Sequence, residues 1–153
     1  MRLLKELDSI NIEINIKFLH KLCCPVKFNT YSKVKGSMRN GKPQVSIQQH
    51  MEADLAEVQC RDLDLTNPQT ITELEQNINK EVSDLFERTI KKVQKEYKSD
   101  IFGFGEAIHR SNPQAWKKLR NNWDQSFVNL PVSITMDCKI RLLGKQLILS
   151  WKK

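Results

Sequence analysis

The chain has 153 residues, 39% of them hydrophobic and 28% charged, with five Gly and five Pro. That balance suits one folded domain and excludes disordered, collagen-like and linker-like classes. Lys and Arg number 25 against 18 Asp and Glu, a net charge of +7, which fits nucleic acid, an anionic membrane surface or an acidic protein and selects none of them. No run approaches the ~20 apolar residues of a membrane-spanning helix. Met1-Arg2-Leu3-Leu4-Lys5-Glu6-Leu7-Asp8 is broken by charge and carries no small-residue cleavage site, so membrane anchoring is expected to be encoded outside these residues.

In chain order, Ile10, Ile12, Ile14, Ile16 and Phe18 alternate with polar residues, the period of a half-buried strand. Val26, Phe28, Thr30, Ser32 and Val34 repeat the pattern more weakly. Asn40-Gly41 then marks a tight turn between antiparallel neighbours. Val45, Ile47, Met51, Ala53 and Leu55 share one parity of a long third strand, with a bulge expected near Gln49. At Asn67-Pro68 the period changes. Asn67 suits an N-cap, and Pro68 suits the first helical position, where a missing N–H costs nothing. Ile71, Leu74, Ile78, Val82, Leu85, Phe86, Ile90, Val93 and Tyr97 then predict one long amphipathic helix over about residues 68–98.

Residues 99–105 break that helix, Glu106 to Arg110 suit a short helical turn, and Asn112-Pro113 repeats the cap-plus-proline start. Trp116, Leu119, Trp123 and Phe127 form an aromatic stripe at helical spacing. Val132, Ile134, Met136, Cys138, Ile140 and Leu142 give the cleanest strand, and Leu147 to Trp151 suit a short additional one. The order β-β-β-α-α-α-β predicts an α+β fold. The polar face on each strand predicts an antiparallel sheet of about four strands, with one long helix and shorter helices packed on the other face.

Candidate chemistry is sparse. The thiols Cys23, Cys24, Cys60 and Cys138 form no CxxC or zinc-type pairing, although His20 precedes Cys23 by a spacing that some metal sites use. They read as isolated, mostly buried thiols, with no metal and no disulfide between Cys60 and Cys138. Gly103-Phe104-Gly105 lacks the third glycine and the preceding strand of a dinucleotide loop. It reads instead as a tight turn in which glycine allows positive φ and Phe102 and Phe104 pin the loop to the core. Asp100, Glu106 and His109 hold acid–base groups close together, yet no nucleophile motif accompanies them, and Asp100 and Glu106 read as caps of the adjacent helical turn. Lys117, Lys118 and Arg120 beside the aromatic stripe offer a phosphate grip, but they read as the wet face of a helix whose Trp116, Trp123 and Phe127 are core. His50 sits on the polar parity of its strand and reads as solvated. No catalytic, cofactor-binding or metal-binding residue is assigned.

Leu63-Asp64-Leu65-Thr66-Asn67-Pro68, the helix ending Gln94-Lys95-Glu96-Tyr97, and Ser99-Asp100-Ile101-Phe102-Gly103-Phe104-Gly105-Glu106-Ala107-Ile108-His109-Arg110 together resemble the C-terminal domain of the Ger(x)C family, the C subunits of spore germinant receptors. The likeness continues through Pro113, Trp116, Trp123, Phe127 and the strand ending at Gly144. Cys23-Cys24-Pro25 and Asn40-Gly41-Lys42-Pro43 share it, so it covers about residues 20–145.

The resemblance implies an α+β domain of a larger lipoprotein, anchored on the outer face of the spore inner membrane. That parent acts with integral-membrane A and B subunits and is not known as an enzyme. Residues 1–153 then read as a single domain, an excised piece or truncated gene product, without the family's earlier domains or lipid-attachment motif. The expected function is non-catalytic protein–protein contact during nutrient-triggered germination, without cofactor, metal or nucleic acid. Membrane contact would come through the parent's lipid anchor, and the fragment alone is expected to be soluble. The alternative is a small basic nucleic-acid-binding module. Asp100, Phe102, Phe104, Glu106, His109 and Arg110 are the candidate partner-contact residues, with a structural plug joining two helices as the competing reading of the same segment.

Overall fold

The structure, a computed structural model, describes residues 26–55 and 66–142. Strands β1 (Val26–Arg39) and β2 (Lys42–Leu55) form an antiparallel hairpin. Asn40 and Gly41 connect them with φ of 51° and 74°, the doubly left-handed two-residue turn whose twist matches that of the flanking strands. Strand β3 (Val132–Leu142) lies on the other side of β2 and runs parallel to it, from Val45 opposite Val132 to Leu55 opposite Leu142. The sheet order is β1-β2-β3.

The α+β class holds, but the all-antiparallel expectation does not. Alternation fixes which face a residue occupies and carries no information on strand direction. Direction here follows from the connections: a two-residue turn forces antiparallel pairing, whereas the long helical crossover between β2 and β3 lets the chain re-enter the sheet in the same sense. Three strands lie among the described residues. The strands expected at Ile10–Phe18 and Leu147–Trp151 lie outside them, as do Cys23, Cys24, Cys60 and His20. The bulge expected at Gln49 is also absent, because pairing runs unbroken from Val26–Leu55 to Arg39–Lys42. Gln49 occupies the core parity as a buried polar residue, and its Oε1 accepts from the Ser32 hydroxyl on the facing strand.

Helix α1 (Pro68–Lys92) starts as its sequence signals, with Asn67 Oδ1 accepting from Gln69 N at 2.9 Å and Pro68 in the first turn. It continues into a π-helical turn, Val93–Tyr97, closed by Lys98 at φ 51°. The wider turn shifts the phase of the apolar stripe. Gln94 is carried inward, and Tyr97, which the 3.6-residue period places on the buried face, is 65% exposed. Gln94 Nε2 donates to the carbonyls of Phe127 and Leu130, each at 2.9 Å, so the inserted residue ties α1 to the approach to β3.

Helices α2 (Phe104–Ser111), α3 (Pro113–Leu119) and α4 (Trp123–Val128) follow, with a 3-10 turn, Arg120–Asn122, between the last two. Asn112 caps α3 by accepting from Ala115 N at 2.9 Å. Helix α2 lies against β1, and the contact requires Gly36, where a Cβ would stand 2.5 Å from Ile108 N and 2.6 Å from the Ala107 carbonyl carbon.

Two apolar clusters fill the space between sheet and helices. One gathers Val45, Ile47, Ile90, Val93, Phe104, Ile108, Trp123, Phe127 and Leu130. The other gathers Met51, Ala53, Ile78, Val82 and Cys138. Strand β3 shows the predicted parity, with Cys138 buried and Asp137 exposed. Two α1 side chains also bond to β3: Asn79 Oδ1 accepts from Cys138 N at 2.8 Å, and Glu75 Oε1 accepts from Ile140 N at 3.0 Å.

Candidate functional site

The segment Asp100–Arg110 divides into a buried foundation and an exposed face. Asp100 is the keystone of the foundation. Its Oδ1 accepts from Phe104 N at 3.0 Å, and its Oδ2 accepts from Gly105 N at 2.6 Å and from Trp123 Nε1 at 2.9 Å. The first two bonds satisfy amides of the first turn of α2 that no helical carbonyl can reach, with negative charge placed where the helix dipole favours it. The third fixes the indole of α4. Gly103 takes φ 73° and lets the chain turn into α2. Gly105 has a different reason to be glycine: a Cβ there would meet Trp116 at 2.7 Å and the Trp123 indole nitrogen at 2.9 Å.

The aromatic side chains pack as anchors. Phe102 stacks on Phe104 with ring centroids 5.2 Å apart, and Phe104 meets Phe127 at 6.2 Å. Trp116 and Trp123 make an edge-to-face pair at 5.2 Å. Phe104 and Phe127 are fully buried and Trp123 nearly so. Trp116 and Phe102 are half-buried against the same cluster. The aromatic stripe is therefore core, and Lys117, Lys118 and Arg120 lie on the exposed side of it.

Glu106, His109 and Arg110 are exposed. Their spacing of three and four residues places them on one face of α2, opposite the face that carries Ala107 and Ile108 to β1. His109 Nδ1 lies 3.5 Å from Glu106 Oε2, and the His109 ring stacks on Trp116 at 5.9 Å. Such an exposed pair contributes roughly 0–1 kcal/mol. Of the six candidate residues, Asp100, Phe102 and Phe104 thus build the loop, and Glu106, His109 and Arg110 present a surface. Glu106 does not cap the helix; Asp100 alone holds those amides.

A second polar constellation lies on the outer face of the sheet, on residues that sequence reasoning did not single out as a group. The parallel register sets His50 opposite Asp137 and Glu52 opposite Lys139. His50 Nδ1 lies 3.1 Å from Asp137 Oδ2, Arg141 pairs with Glu52, and Lys139 Nζ reaches Glu75 Oε2 at 3.2 Å. The bond to Glu75 raises the Lys139 pKa. Beneath this face, burial pushes the Cys138 thiol up to about 11, with Glu75 and Asp137 adding to the shift. The alternation put these charges on one face, but only strand direction makes them neighbours. Among the described residues no group of three or more His, Cys, Asp or Glu could hold a metal ion, and no helix is long and apolar enough to cross a membrane.

A groove of about 390 Å³ separates the second half of α1 from the start of β3. Glu87, Ile90, Lys91 and Gln94 form one wall, and Leu130 to Ile134 form the other.

The architecture recurs in a solved protein. The crystal structure of the GerBC protein matches with a TM-score of 0.65 at 25% identity, over 77% of this chain and 37% of that one. Spore germination protein KC of Bacillus subtilis (strain 168) is 31% identical over 114 residues, which is 74% of this chain and 28% of that protein. Spore germination protein YndF of the same strain is 34% identical over 76 residues, 50% of this chain and 19% of that protein. The chain therefore spans less than a third of these curated relatives. Residues 3–144 match the family described as Spore germination B3/ GerAC like, C-terminal, and the chain belongs to that family.

Proposed function

We propose that this chain is a non-catalytic interaction domain of a spore germinant receptor C subunit, contributing to nutrient-triggered germination through protein–protein contacts. The observation that carries the reading is the construction of α2: the half-buried Asp100 with the buried Phe104 and Gly36 holds Glu106, His109 and Arg110 on one exposed helical face. Mixed charge on a rigidly seated helix suits recognition of a polar protein surface. The integral-membrane A and B subunits are the proposed partners, met at the outer face of the spore inner membrane when a lipid-anchored parent carries the domain. Support for a non-catalytic role comes from the setting of Glu106 and His109, which pair side by side on an open helix surface. The nearest hydroxyl in sequence, Ser111, is engaged by the Ile108 carbonyl at 3.0 Å.

The test is to compare Glu106→Ala and Arg110→Ala in spores that carry the change in the full-length parent and in the 153-residue chain. Unaltered melting temperature with reduced germination is the expected result. Unaltered germination in both variants would remove this face from the mechanism. A melting temperature lowered in step with germination would assign the face to folding instead.

A further inference from the structure

The charge of the described residues is unevenly placed along the fold. Helix α1 runs antiparallel to β3: Glu75 and Asn79 bond to Ile140 and Cys138, whereas Ile90 and Gln94 share a groove with Val132 and Leu130. The last turns of α1 therefore lie at the same end of the sheet as the Asn40-Gly41 turn, because Val45 is opposite Val132. That end, residues 33–48, 85–98 and 132–136, holds nine Lys and Arg against two acids, Glu87 and Glu96. The other end, residues 26–32, 49–55, 68–84 and 137–142, holds four bases against seven acids. Tyr97 and Ile101, 65% and 43% exposed, belong to the basic end. Val26, Leu55 and Leu142 are in register at the acidic end, and α1 starts there too, so the residues outside the described ones all join the fold at that end. Residues 56–65, held there at both ends, reach at most roughly 17 Å up the sheet, whereas Lys42 stands thirteen residues from Leu55, roughly 43 Å away. Residues 143–153 carry three Lys and no acid, and residues 1–25 carry four bases and three acids, so neither cancels the excess.

We infer that this basic end is a contact surface for anionic lipid headgroups, on which the domain stands with the hairpin tip and the end of α1 toward the bilayer and Tyr97 and Ile101 in the interfacial layer. Charge makes the occupant anionic: Lys33, Lys35, Arg39 and Lys42 are exposed on the hairpin, with no acid between Lys33 and Gln48. Lys91, Lys92, Lys95 and Lys98 are exposed at the end of α1. Side-chain chemistry then selects a lipid surface. Seven of the nine bases are Lys. Lysine is a hydrated point charge on a flexible stem, suited to a mobile layer of headgroups, whereas phosphates or carboxylates held at fixed positions favour the bidentate fork of arginine. An exposed tyrosine and isoleucine beside lysines match the composition of a membrane–water interface. Single-stranded nucleic acid is held by aromatic platforms, but here Phe104, Trp123 and Phe127 are buried in the core. This surface is built from the hairpin and α1 and depends neither on the exposed face of α2 nor on a lipid anchor.

The 153-residue chain is floated with vesicles of phosphatidylcholine alone and of equal parts phosphatidylglycerol and phosphatidylcholine, at about 0.1 M salt, where screening confines charge effects to about 10 Å. The expected result is binding to the anionic vesicles only. Each lysine at the surface contributes about fivefold in affinity, so Lys35→Gln with Lys42→Gln weakens binding at least tenfold. Lys80→Gln with Arg141→Gln removes the same charge from the acidic end and leaves binding within twofold. Tyr97→Ser with Ile101→Ser weakens it at least threefold, and lowering the salt does not restore the loss. Duplex DNA or polyglutamate at equal anionic charge leaves most of the chain on the vesicles. No binding to the anionic vesicles, or equal binding to both kinds, overturns the proposal. Equal losses in the two charge-removing pairs overturn it by giving the effect to total charge, and full binding by the Tyr97 and Ile101 pair overturns the interfacial placement. Complete displacement by DNA or by polyglutamate overturns it in favour of a nucleic acid or an acidic protein.

Discussion

Asp100 shows how one side chain can hold a motif together. Its carboxylate receives the amides of Phe104 and Gly105 and the indole N–H of Trp123, which lies 23 residues along the chain from Asp100. Bonds to a charged acceptor are worth about 1.5–3 kcal/mol each, and a donor left buried without a partner adds to the loss. Asp100→Ala is therefore expected to cost roughly 3 kcal/mol in urea denaturation. Asp100→Asn, which keeps one acceptor oxygen, should cost clearly less. A loss below ~0.5 kcal/mol for alanine would show that the three bonds are not worth keeping. Cys138 makes a second prediction at this scale. Its folded pKa, about 11, lies above the ordinary thiol value of 9.0. The unfolded chain therefore releases this proton first as pH rises, and the folded state is penalised between about pH 9 and 11. The penalty approaches roughly 2–3 kcal/mol at the top of that range. Lys139 titrates nearby, so the measurement is the difference between the unaltered chain and Cys138→Ala across that window. Parallel stability curves for the two would contradict the assignment.

Among the elements, contact geometry rather than propensity decides which substitutions matter, and two glycines give a controlled comparison. A Cβ at Gly36 would collide with the backbone of α2, which cannot yield as a flexible side chain can. Gly36→Ala is expected to lose roughly 2–3 kcal/mol as α2 is pushed from β1. Gly41 has open space around it but φ of 74°, so Gly41→Ala should lose only about 1 kcal/mol from backbone strain. Equal effects in thermal melts would refute the close-approach argument. The sequence announced the turn glycine through its Asn neighbour. Gly36 carried no such sign, because the need for it comes from a helix seventy residues away. The same division runs through the fold. Local signals placed the hairpin, the caps at Asn67 and Asn112 and the β3 parity. The parallel course of β3, the π turn that buries Gln94 and the outer-face ion pairs depend on tertiary packing. The candidate segment was legible as a loop pinned by aromatics. Its split into foundation and face needed the position of Trp123.

At the scale of the whole molecule, the core is in two parts with a polar seam between them. Gln49 and Ser32 bond across the strands on the core face of the sheet, and β2 contributes Val45 and Ile47 to one cluster and Met51 and Ala53 to the other. A divided core invites stepwise unfolding, as cooperative units commonly follow packed substructures. Helix α1 opposes that tendency. It gives Ile90, and its π-helical continuation gives Val93, to one cluster; it gives Ile78 and Val82 to the other, and its Glu75 and Asn79 bond to β3. Breaking either cluster therefore strips one half of a continuous helix, which leaves the other half short and poorly supported. Ile90→Ala and Ile78→Ala should each remove about 2–5 kcal/mol. Each should shift a single transition seen equally by far-ultraviolet circular dichroism and by tryptophan fluorescence, recorded in a Trp151→Phe background so that it reports on Trp116 and Trp123 at the first cluster. Coincident midpoints in both variants are the two-state signature. If Ile78→Ala lowered the dichroism midpoint and left the fluorescence midpoint in place, the clusters would be independent, and α1 would not couple the aromatic foundation of α2 to the far end of the sheet.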